Sequence, residues 1–158
     1  VNAAVLFVVL AGSGRGSALL GQVEATHPRP PAATWHLATR PDVPASAAAA
    51  SALIRAVLDI GEPERATALL ARYGALLDNA ERMEIAGAIA AANGRWHVAA
   101  QAYATAAVML TGPHRGVLDA RAALAFEQAE VTDSARAAWG RARSALPSIA
   151  GWLALREA

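Results

Sequence analysis

Four glutamates, Glu81, Glu84, Glu127 and Glu130, are the residues of this chain best suited by type to acid–base chemistry. Cleaving a sugar linkage takes two carboxyls flanking the bond, one of them with its pKa raised by burial. Glu127 and Glu130 are three residues apart, a spacing that sets both on one face of a helix. All four nevertheless fall among polar helix positions and read as solvated helix charges. His97 lies beside Trp96 and His114 stands where a helix begins; neither has a His or acidic partner at a ligand spacing such as H-x-x-x-H. His27 and His36 have no acidic cluster nearby. Arg136, Arg141 and Arg143 could gather near one helix end, where such side chains pair with neighbouring acids or stay hydrated. No G-x-S-x-G elbow marks a nucleophile. GSGRGS (12–17) is Gly-rich but lacks the Lys and the spacing of a phosphate-binding loop. A non-enzymatic protein with no cofactor and no metal is expected.

Composition points the same way. The chain has 158 residues, of which 44 are Ala. Ala is the best helix former because it loses no side-chain entropy. An all-α protein with close helix–helix contacts is therefore expected. Every one of the basic residues is Arg, and the formal net charge is +1. With charges so evenly balanced, no face is basic enough to neutralise many phosphates, and nucleic acid is not an expected partner. There is no Cys, which excludes disulfides and thiolate metal sites.

Three regions follow along the chain. Residues 1–20 open on an apolar run, Ala3 to Ala11, followed by small residues; this fits a signal peptide, although no Arg or Lys precedes the run. The run is too short for a stable membrane span, which needs about 20 residues. Residues 21–45 carry Pro28, Pro30, Pro31, Pro41 and Pro44 and are expected to be a partly extended linker. Residues 46–158 have helical patterning. The signal peptide implies a periplasmic or exported protein; without it the protein would be cytoplasmic.

Within 46–158 one unit recurs. Gly94 is followed by Trp96, Ala99, Tyr103 and Ala106. Ala135, Trp139 and Ala142 reproduce the small–aromatic–small spacing, and Ala66, Leu70 and Tyr73 follow Gly61 at similar places. The anchors Ala66, Ala99 and Ala135 are 33 and 36 residues apart, in the period range of helical solenoids. Upstream of each turn, a small residue is expected where the paired helix comes close: Gly87 in the second unit, Ala123 in the third, with Ile54 breaking the pattern in the first. Expected caps are Ser46, then Asn79 or Asp78, then Thr132 or Asp133. Gly61 is expected as a left-handed stop, and Pro63 as a first-turn residue. A seventh helix starts at Pro147; its apolar Ile149, Trp152, Leu153 and Leu155 imply a covering partner or more chain beyond, and hence a fragment.

Gly87, Gly94, Trp96, Ala99, Tyr103, Ala106 and Pro113 resemble the tetratricopeptide repeat, and Ala123, Ala135, Trp139, Ala142 and Pro147 repeat the resemblance with Glu130 in place of the turn Gly. The resemblance spans roughly residues 47–146. It implies a right-handed α-solenoid of about three helix hairpins plus the terminal helix. It also implies that first-helix residues line a concave groove; the candidates are Arg82, Glu84, Ile85, Arg121 and Leu124.

The closing segment ALPSIAGWLALREA, through Leu146, Pro147, Ile149, Trp152, Leu153 and Arg156, is similar to the helical superstructure of soluble lytic murein transglycosylases. That family's catalytic Glu-Ser pair does not occur in this sequence. The resemblance implies a non-catalytic scaffold of the cell envelope, partnered by a C-terminal catalytic domain and peptidoglycan. The alternative is a free-standing adaptor for a protein or peptide.

Overall fold

The structure is a computed structural model and describes Pro44 and residues 46–157. The expected leader, and the expected linker apart from Pro44, lie outside the described residues. Seven α-helices fill the described part, with no strand among the described residues: α1 (Ala47–Asp59), α2 (Pro63–Tyr73), α3 (Asn79–Ala92), α4 (Trp96–Val108), α5 (Gly112–Gln128), α6 (Thr132–Ala145) and α7 (Ala150–Glu157). Short 3₁₀ turns, Gly74–Leu76 and Pro147–Ile149, precede α3 and α7. The described part is all-α, as the composition predicts.

Helix ends follow local chemistry. The Ser46 hydroxyl accepts from the Ala49 N–H at 3.2 Å, and the Asp78 carboxylate accepts from the Glu81 N–H at 2.7 Å. Each satisfies a donor that a helix start leaves open. Pro63 opens α2, where its missing N–H costs nothing. The sixth helix departs from expectation: Val131 is its cap residue, and Thr132 and Asp133 lie inside its first turn. The acid still stands at the positive helix end, where it is favoured.

Three helix-to-helix turns share one geometry. Gly61, Gly94 and Glu130 all adopt left-handed backbone, with φ of 82°, 70° and 60°. After each, the next residue donates back into the preceding helix: Glu62 to Val57 at 3.2 Å, Arg95 to Ala90 at 2.9 Å, Val131 to Phe126 at 2.9 Å. This is the Schellman closure. The carbonyls of Glu62, Arg95 and Val131 then accept from Ala66, Ala99 and Ala135, each at 3.0 Å. The three anchor alanines thus occupy the same place in three turns, and all are buried.

The small-versus-large pattern is a packing pattern. A methyl group added at Gly87 would sit 2.9 Å from the Tyr103 ring, so α3 and α4 touch through that glycine. A methyl at Gly116 would meet Leu146 at 2.6 Å, which brings α5 equally close to the end of α6. Tyr103 and Trp139 are buried between flanking alanines. Consecutive helices pack against one another throughout, and α1 also meets α3. The buried apolar residues form two clusters. One joins α1 and α2 to Ile85 and Ile89 of α3; the other runs from Ala90 of α3 through α4, α5 and α6 to Leu153 of α7. Helix α3 feeds both.

The terminal helix does not present its apolar face outward as expected. Ile149 and Leu153 are buried in the second cluster, and Trp152 meets Trp139 edge to face at 6.2 Å. The tail covers the last hairpin, and of its four large apolar residues only Leu155 stands exposed.

Candidate functional site

Among the described residues two carboxylates, Glu84 and Asp119, are buried between helices. Arg55 comes from the middle of α1, Glu84 from α3, and His114 and Arg121 from α5. Glu84 Oε1 accepts from Arg55 Nη1 at 3.2 Å and from Arg121 Nη1 at 2.7 Å; His114 Nε2 lies 3.7 Å from Oε2. Arg55 also donates from Nε to Ser51 Oγ at 3.3 Å. The carboxylate is buried, whereas both guanidiniums keep about a third of their surface in water.

Glu84, expected from its polar helix position to be a solvated charge, is instead buried, at 6% exposure. A buried carboxylate stays charged only where opposite charge compensates its lost hydration. Burial alone would raise its pKa. The charges of Arg55 and Arg121, the Arg55 hydrogen bond and His114 outweigh that and hold it below the ordinary carboxylate value. A carboxyl held ionised in this way is the opposite of a general acid for sugar cleavage, which has to keep its proton near neutral pH. The neighbouring Tyr103 hydroxyl is pushed up, first by burial and further by the Glu84 charge, against the Arg121 and Arg55 charges.

The other groove candidates separate. Arg121 belongs to the Glu84 cluster. Arg82 is half-buried and donates to Asn79 of its own helix at 2.7 Å. Ile85 and Leu124 are core residues, at 0% and 8% exposure, and belong to different apolar clusters. Neither can line an open groove, because the helix faces that carry them are the ones that pack. Glu127 and Glu130 do not form a pair either. Glu127 accepts from Trp139 Nε1 at 2.8 Å and meets Arg156, which also lies over the Trp139 ring, while Glu130 occupies the turn.

A second buried carboxylate, Asp119 of α5, was not anticipated. Its Oδ1 accepts from Arg141 Nε at 2.8 Å, and Arg115 Nε stands 3.6 Å from Oδ2. The available signal was a charge embedded in an apolar helical run: Asp119 in GVLDARAAL, and Arg55 likewise in ALIRAVL. Among the described residues no group of three His, Asp or Glu side chains could hold a metal, and no helix is long and apolar enough to cross a membrane. No family model, curated protein or solved structure matches the chain.

Proposed function

We propose that this chain is a non-catalytic helical-repeat scaffold, a right-handed solenoid of three tetratricopeptide-like hairpins that offers the face of its first helices to a protein or peptide partner. One observation carries the proposal: Glu84 of α3 bonds at once to Arg55 of α1 and Arg121 of α5. These are the first helices of the three pairs, and one carboxylate reaches both neighbours when the three lie side by side. The repeated turn geometry at Gly61, Gly94 and Glu130 supports the same arrangement. The cluster carries two guanidiniums and a histidine against one carboxylate, so this face has an excess of positive charge. Acidic or polar partners suit it best.

An envelope role with a lytic transglycosylase-like catalytic partner is the second reading. It rests on the closing segment and on the leader. The packing of Leu146, Ile149 and Leu153 onto the last hairpin gives those residues a use of their own and weakens the resemblance as a functional signal.

The two readings separate by ligand. The full chain is screened against a displayed peptide library and, in parallel, co-sedimented with purified peptidoglycan sacculi. Enrichment of peptides that bind wild type and are lost in Arg82→Glu or Arg121→Glu supports the adaptor. Sedimentation with sacculi supports the envelope scaffold. A folded chain that captures neither overturns both.

A further inference from the structure

Beside the start of α5 and the end of α6 lies an open cleft of about 500 Å³, lined by Thr111, Gly112, Arg115, Arg141, Ser144 and Ala145. None of these residues belongs to the Glu84 cluster. We propose that this cleft binds a small carboxylate ligand, held between the Arg115 and Arg141 guanidiniums. The inference does not rest on the partner-binding reading above.

The geometry of Asp119 carries it. This buried carboxylate engages both arginines through Nε, at 2.8 Å for Arg141 and 3.6 Å for Arg115. The hydrogen bond holds the Arg141 guanidinium by its Nε edge, while Arg115 lies beside the carboxylate without one. Both side chains line the cleft, and they keep 40% and 41% of their surface exposed. A guanidinium carries five donors in a planar fork, and its outer edge matches a carboxylate with two parallel bonds. Asp119 acts as a positioning residue that keeps both arginines beside one space. Its Oδ2 has no hydrogen bond, so Arg115 is held by charge alone and can turn to meet a ligand.

Two features add to the site. The Thr111 side chain makes no capping bond at the start of α5, and Thr111 and Gly112 both line the cleft, so this helix start borders it. Helix starts of this kind favour anions. Charge then selects the anion. Two arginines against one aspartate leave one positive charge, which a single carboxylate neutralises and a phosphate dianion exceeds. The volume lies within the range of small-molecule pockets, about 300–1,000 Å³.

The test follows the arginine Nε–Hε signals of the ¹⁵N-labelled full chain by NMR while sodium acetate, sodium phosphate or sodium chloride is added. Acetate is expected to move the Arg115 and Arg141 signals saturably, with half-saturation on the order of millimolar, as befits a small ligand with few contacts. Arg141→Gln and Arg115→Gln should each raise the half-saturation concentration about tenfold or more, the worth of one charge-assisted pair. Arg95→Gln, in an exposed turn, should leave it unchanged. Circular dichroism checks that each variant is folded; where one is not, the wild-type titration and the other variant decide. Shifts that never saturate, shifts spread equally over all arginines, or tighter binding of phosphate than of acetate would each overturn the proposal.

Discussion

At the scale of single residues, the molecule turns on charges that lie inside it. Glu84 is 8% exposed at its side chain, and removing it leaves two guanidiniums with no common counter-ion. Breaking such a buried pair costs about 3–5 kcal/mol when both partners are desolvated; here the arginines stay partly wet, so about 1–3 kcal/mol is expected for Glu84→Gln. The pH dependence has a definite sign. The folded pKa of Glu84 is below its ordinary 4.5, so the folded state holds fewer protons on this group than the unfolded chain. Its contribution is complete above the ordinary value and is lost as pH falls through the lowered one. Urea unfolding of wild type and Glu84→Gln should therefore differ by a constant amount near neutral pH and converge in acid. A gap unchanged from neutral to strongly acidic pH would rule out the ion cluster as its source. Sequence reasoning chose Glu84 and Arg121 but gave them the wrong surroundings. A single sequence shows which residues are charged, while the helices that surround a given charge are set by tertiary packing. Arg55 is 29 residues from Glu84, and Arg121 is 37 from it. No local pattern encodes that meeting.

At the scale of elements, local rules carried most of the information. Helix identities, the Ser46 and Asp78 caps, Pro63 and the Gly61 stop all follow from chemistry within four residues. The failure at Thr132 arises because the turn closure at Glu130 sets Val131 at the cap position, with its N–H bonded to Phe126, so the helix starts without a side-chain cap. The most telling element is the turn at Glu130. It takes the same left-handed backbone as Gly61 and Gly94 with a side chain that disfavours it. An L-residue there costs roughly 1–2 kcal/mol, partly offset by the smaller entropy that a non-glycine loses on folding, roughly 0.5–1 kcal/mol. Glu130→Gly should thus stabilise the protein by about 0.5–1 kcal/mol, read as a higher denaturant midpoint at unchanged slope. Gly94→Ala should lower the midpoint by a comparable amount. If Glu130→Gly destabilised the protein, the equivalence of the three turns would be lost, and with it the strongest local sign of a repeated unit.

At the scale of the whole molecule, helices pack chiefly on their neighbours in sequence, and the buried residues fall into two clusters that meet at α3. A proposed stack of hairpins has a consequence that a closed bundle does not. In a stack, each unit is stabilised by its own packing and by the adjoining interface, so damage at one end decays along the chain. Leu153 of α7 is fully buried in the second cluster, far in sequence from α1 and α2. Leu153→Ala removes that side chain at a cost of about 2–5 kcal/mol to the unit that holds it. Native-state hydrogen exchange should then show amides of α5, α6 and α7 opening more readily, while those of α1 and α2 keep their wild-type protection. A bundle folding as one cooperative unit would instead lose protection everywhere by the same amount. Uniform loss would therefore exclude the stacked arrangement, and with it the claim that Arg55, Glu84 and Arg121 mark a face shared by three repeated units. Graded loss would support the stacked arrangement and direct the search for a partner to the first-helix face, where the Glu84 cluster lies.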